Sequence, residues 1–140
     1  MVDRILVPID RSEQAQRACQ FVVEEFPEAT LVLLHVINPA EAGFSAQSSL
    51  PSFSEEWYEK EQEEADRLFE DIERELGDAT AEHVVEVGTP TNVIIDYADD
   101  NDIDHIVMGS HGRDGVTRIL LGSVAETVVR RASVPVTVTR

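Results

Sequence analysis

The chain has 140 residues, 42% of them hydrophobic, which is enough for one domain with its own core, and no apolar run reaches the roughly 20 residues that span a bilayer. Its 28 acidic residues against 11 basic ones give a net charge of −17, which argues against nonspecific nucleic-acid binding, since that depends on basic patches. The single cysteine, Cys19, excludes an internal disulfide.

The opening Met1-Val2-Asp3-Arg4 runs straight into a strand-like segment without a signal-peptide pattern, so a cytoplasmic protein is expected. Arg4 to Ile9 is continuously apolar after its first residue. That suits a strand buried on both faces of a parallel sheet, ending near Pro8, which cannot donate to a ladder. A helix is predicted from about Ser12. Ala15, Ala18, Cys19, Val22 and Phe26 share one face, and Pro27 stops it. On that face Cys19 reads as a buried structural thiol. Leu31 to Ile37 is a second buried strand, closed by Asn38-Pro39.

Residues 40–54 are rich in Ser, Ala and Pro and lack periodicity, so they read as a loop. From about Ser54 to Leu76 an acidic helix carries the stripe Ala65, Leu68, Phe69, Ile72 and Leu76, with Gly77 as its stop. Its carboxylates read as a solvated face. His83 to Val87 is a third strand. Thr89-Pro90 then caps a helix carrying Val93, Ile94, Tyr97 and Ala98, which ends near Asn101. His105 to Met108 is a fourth strand, followed by a long loop over 109–121. Ser123-Val124-Ala125-Glu126 has the spacing of a capping box for a last helix reaching about Ala132. Pro135 to Thr139 is the fifth strand. The order βαβαβαβαβ predicts an α/β fold with an open parallel sheet and right-handed crossovers.

The charge is uneven along this order. Residues 55–104 hold 19 acids and three bases, a net of −16. Residues 105–140 hold two acids and five bases, a net of +3. Ten of the basic residues are Arg, and Lys60 is the one lysine. The acidity fits a surface adapted to a salt-rich cytoplasm, where salt screens self-repulsion; an ordinary acidic protein is the alternative. The one net-positive stretch contains Gly109, Gly112 and Gly122, placed between a strand and a helix. Glycines there let main-chain N–H groups approach an anion, and the helix N-terminus adds unpaired donors and its dipole.

Ligands of open α/β sheets bind beyond the carboxyl ends of the strands. Three segments meet there: Pro8-Ile9-Asp10-Arg11-Ser12, Val36-Ile37, and Gly109 to Ser123. No G-x-G-x-x-G follows the first strand, and no Walker lysine is present. The run Met108-Gly109-Ser110-His111-Gly112, nine further residues, then Gly122-Ser123 resembles the nucleotide-binding motif of the universal stress protein family, in its ATP-binding branch. Ile5-Leu6-Val7-Pro8-Ile9-Asp10, Leu34-His35-Val36 and Val134-Pro135-Val136 resemble the same family, so the resemblance spans the whole chain.

The resemblance implies a five-stranded sheet of order 3-2-1-4-5 and a site for ATP, ADP or AMP, with or without Mg²⁺. Pro8, Ile9, Asp10 and the main chain at Val36 would hold the nucleoside end, with Met108 lining the base or ribose pocket. Gly109, His111, Gly112, Gly122 and Ser123 would surround the phosphates, with Ser110 in the same motif and Val124 adding a main-chain donor. Arg113 and Arg118 are further candidate phosphate partners because guanidinium suits phosphate geometry, the alternative being loop residues that face solvent. Dimerisation through the last strand, Val136 to Thr139, is common in the family. The residues read alone leave alternatives: Asp10 and Ser123 as helix caps, and the glycines as turn residues. His35 and His105, at strand positions, read as packing residues. No catalytic residue is assigned. A stress-response regulatory protein that binds adenine nucleotide is the expected function. A slow ATPase or autophosphorylating enzyme, or a dimeric interaction module without nucleotide, is the alternative.

Overall fold

The computed structural model describes residues 2–42, 51–110 and 122–140. Five strands, β1 (Arg4–Pro8), β2 (Thr30–Ile37), β3 (Ala81–Val87), β4 (His105–Gly109) and β5 (Val136–Thr139), pair in parallel in the order β3-β2-β1-β4-β5. This is the α/β sheet and the strand order expected. Four helices connect them: α1 (Glu13–Glu25), α2 (Pro51–Leu76), α3 (Pro90–Asp100) and α4 (Ser123–Arg131).

The strand sequences follow from what covers them. Ile5, Leu6, Val7, Leu31 to Leu34, Ile106 and Val107 are buried because helices lie on both faces. A strand covered twice has no polar face, so its apolar run is continuous. One face carries α1 and α2, where Ala15, Ala18, Cys19, Val22, Ala65, Phe69 and Ile72 pack on Ile5, Val7, Leu31, Leu33 and Val107. The other carries α3 and α4, where Ile94, Ile95, Ala98, Ala125 and Val128 pack on Leu6, Val32, Leu34, Ile106 and Met108. Each fully buried Leu, Ile or Val contributes about 1.5–3 kcal/mol. Cys19 lies inside the first cluster, and burial, with Glu75 nearby, pushes its thiol pKa up to about 12. It is the inert thiol expected.

Three boundaries differ from the sequence reading. The helix expected from Ser54 begins at Pro51, so part of the anticipated loop is helical; proline suits a first helical turn because its missing N–H has no intrahelical partner there. Residues 39–42 form a 3₁₀ turn, and 43–50 lie outside the described residues. Ser123 does not cap α4 as a capping box would require. Gly122 is the N-cap, its carbonyl accepts the Glu126 N–H at 2.9 Å, and the Glu126 side chain turns to Arg130. The helix begins one residue earlier than the box places it, which leaves Ser123 in its first turn. The stop at Gly77 is as expected, with φ +65° in the left-handed region that glycine adopts without strain.

Candidate functional site

The sheet changes direction between β1 and β4. The next connection from β1 crosses to one side and that from β4 to the other, so a crevice opens at their carboxyl ends. A cleft of about 920 Å³ occupies that place, within the range of roughly 300–1,000 Å³ usual for small-molecule sites.

Its floor is built from strand ends. Ile9 extends the β1 ladder one step, its N–H donating to the Leu34 carbonyl at 2.9 Å, and His35 Nδ1 donates to the Ile9 carbonyl at 3.2 Å. The ladder alternates, so the main chain of every second β2 residue turns toward β1. Thr30 and Leu34 do so. By the same alternation Val36 presents its N–H and C=O toward β1, which has ended two positions earlier in register at Pro8. These main-chain groups face the cleft. His35 thus ties β1 to β2 under the cleft.

Asp10 and Ser12 form the lip after β1. Asp10 Oδ1 accepts the Ser12 N–H at 2.8 Å and the Ser12 hydroxyl, and Ser12 Oγ accepts the Ala15 N–H at 3.2 Å. Ser12 is the N-cap of α1, and Asp10 holds Ser12 in place. The cap role weighed for Asp10 is therefore real but indirect. The residue also lines the cleft, with one oxygen committed to the turn.

Across the cleft, β4 delivers Met108, Gly109 and Ser110. A Cβ on Gly109 would lie 2.6 Å from the Gln14 Cβ, so α1 can rest on the end of β4 only if residue 109 has no side chain. Ser110 donates its N–H to Thr139 at 2.7 Å and accepts the Gly122 N–H at 2.5 Å. Ser110 and Gly122 are therefore held together at the cleft rim, with Gly122 immediately before α4. Ser123, Val124 and Ala125 line the cleft, and the N-cap of α4 is Gly122, so among the described residues no side chain caps it. The N–H groups of its first turn have no intrahelical acceptor, and its dipole directs positive potential the same way.

Ten of the thirteen candidate residues border this one cleft: Pro8, Ile9, Asp10, Val36, Met108, Gly109, Ser110, Gly122, Ser123 and Val124. His111, Gly112 and Arg113, and with them Arg118, lie outside the described residues. The sequence reading missed one wall. Trp57, Glu61, Glu64 and Leu68 of α2 line the cleft, and Arg11 reaches Glu64 at 2.9 Å. Pro90 and Ile94 of α3 and Asn38 were missed as well. The spacing 57, 61, 64, 68 is one helix face, but its carboxylates had been assigned to solvent. Among the described residues no group of three or more His, Cys, Asp and Glu side chains is placed to hold a metal ion. Likewise, no helix of the described residues is long and apolar enough to cross a membrane.

Comparison with known proteins agrees with this architecture. A universal stress protein of Methanocaldococcus jannaschii, MJ0577, is 34% identical over 157 residues, covering 100% of this chain and 96% of its own length. The solved structure of MJ0577 superposes with a TM-score of 0.86 at 36% identity, over 99% of this chain and 96% of that one. The universal stress protein UspA from Lactobacillus plantarum matches with a TM-score of 0.86 at 27% identity, over 99% of this chain and 98% of its own. A universal stress protein in complex with cAMP shares the fold at TM-score 0.66 and 23% identity, over 99% of this chain and 97% of its own. The model of the universal stress protein family matches residues 1–140, and the chain belongs to that family.

Proposed function

We propose that the chain is a regulatory protein of the cytoplasmic stress response that binds an adenine nucleotide, ATP foremost, in the cleft between β1 and β4. The observation that carries this reading is the pairing of two kinds of group in one cleft. At one end, α4 presents its N-terminus at Gly122 and Ser123, suited to phosphate. At the other, Asp10 and the Val36 main chain offer polar partners beside the apolar side chains of Ile9, Leu68 and Met108, suited to a nucleoside. The cAMP complex of the distant relative tells only that this fold can hold an adenine nucleotide. Mg²⁺, if bound, would arrive with the phosphates. Binding rather than turnover is the reading because the sequence has no Walker lysine to place beside the terminal phosphate.

Gly122→Asp tests the phosphate end. Gly122 has φ −63° and ψ 159°, a backbone that any residue adopts. Aspartate is a preferred N-cap, so the cap of α4 is retained in the variant. It also sets a carboxylate where the phosphates would lie. We expect equilibrium dialysis in high salt to show ATP retained by the parent and lost by the variant, with unchanged circular dichroism. Equal retention by both would overturn the placement.

A further inference from the structure

The wall of the cleft supplied by α2 has no role in the reading above, and its geometry gives it one. The helix has 26 residues, a length of ~39 Å, whereas the eight-residue β2 beneath it spans ~26 Å. Leu76 at its end is followed after four residues by Ala81, which pairs with Leu31 at the start of β2. The C-terminus of α2 therefore lies at the amino edge of the sheet, and its excess length projects past the carboxyl edge. The stripe that buries Phe69, Ile72 and Leu76 continues along the same face as Glu64, Glu61 and Trp57. There it covers the cleft instead of the sheet.

The two ends of the cleft differ in charge. The α2 wall carries Glu61 and Glu64, and Arg11, which borders it, is already engaged with Glu64. The opposite end carries the N-terminus of α4. These walls lie on opposite faces of the sheet and over opposite halves of it, α2 against β2 and β3, α4 against β5. A polyphosphate is repelled from the first and attracted to the second. The uncharged base is left beneath α2, where Trp57, partly buried, is the large aromatic side chain among the described residues of the cleft.

Resting on the nucleotide reading, we propose that Trp57 is a base-contacting residue, its indole packing on the nucleobase while the acidic stripe behind it orients the phosphates toward α4. An aromatic face stacks on any base, so Trp57 adds affinity for the nucleoside end without itself choosing among bases.

Trp57 is the only tryptophan, so its emission reports on the site directly. ATP titrated into the full chain should shift or quench that emission with the midpoint found by calorimetry. Trp57→Ala should raise the ATP Kd about tenfold, and Trp57→Phe, which keeps a ring, should restore most of the loss. Thermal melts without ligand establish that both variants fold. ATP binding with unmoved emission and an unchanged Kd in Trp57→Ala would overturn the role of Trp57 and leave the nucleotide reading intact. No binding of ATP to the folded parent would overturn both.

Discussion

Glycine 109 shows how one residue can answer two demands. Its position in the Gly-Ser-x-Gly run makes it a candidate phosphate neighbour, yet the packing of Gln14 on its Cα already forbids a side chain. The motif alone could not separate these reasons, because both require the same residue. Ser123 carries the opposite lesson. Its spacing to Glu126 imitates a capping box, but Gly122 takes the cap and the serine is left on the cleft wall. Asp104 had no signal in the sequence at all, since its partners are a hundred positions away. Its carboxylate accepts the N–H groups of Arg4 and Asp3, both at 3.0 Å, which fastens the start of β1 beside β4. Those backbone bonds, Arg4 first, hold its pKa below the usual carboxylate value. A carboxyl depressed on folding stabilises the fold above its unfolded pKa of about 3.9, and that contribution fades as pH falls through the lower folded value. Asp104→Asn should therefore melt below the parent at pH 7. The gap should close as the pH is lowered through the acid range; a constant gap in melts across that range would contradict the role assigned to the charge.

At the scale of elements, buried strands and amphipathic helices were legible because their residues report their own surroundings. The runs Ile5-Leu6-Val7 and Leu31 to Leu34 are apolar throughout because both faces of the sheet are covered. The α2 wall was not legible. Its face changes from apolar at Phe69 to charged at Glu61 where the sheet stops, and a carboxylate facing a cleft has the same letter as one facing water. The usable signal was length: 26 helical residues exceed what the neighbouring strand can cover. Strand β5 raises a separate question, since it forms one edge of the sheet. The carbonyls of Pro135 and Thr139 accept from β4, so by alternation the main chain of Val136 and Val138 faces outward. An open edge of this kind invites pairing with a second copy across a two-fold axis. Both valines also pack toward the α3–α4 cluster, so a charge there would harm the fold as well as the edge. Val138→Pro removes the outward N–H while leaving the carbonyl of Thr139 to β4. If the protein dimerises through β5, light scattering should move from twice the chain mass to 15.6 kDa in that variant. A dimer that persists would place the interface elsewhere.

For the whole molecule, charge and topology act together. The chain carries −17, and most of that sits in residues 55–104, which supply α2, β3 and α3. The segment from 105 onward, net +3, supplies β4, α4 and the end of the cleft bordered by the N-terminus of α4. Parallel topology is what turns this imbalance along the sequence into one across space, because the crossovers place α2 and α4 on opposite faces. The result is a cleft with an acidic wall facing a helix N-terminus. High salt screens the long-range repulsion between an anionic ligand and an anionic protein, while contacts inside the cleft are screened less. Calorimetric titration of ATP into the folded chain in high salt therefore tests the central claim most directly. We expect saturable binding of one nucleotide per chain; a flat titration with protein whose fold is intact would contradict it.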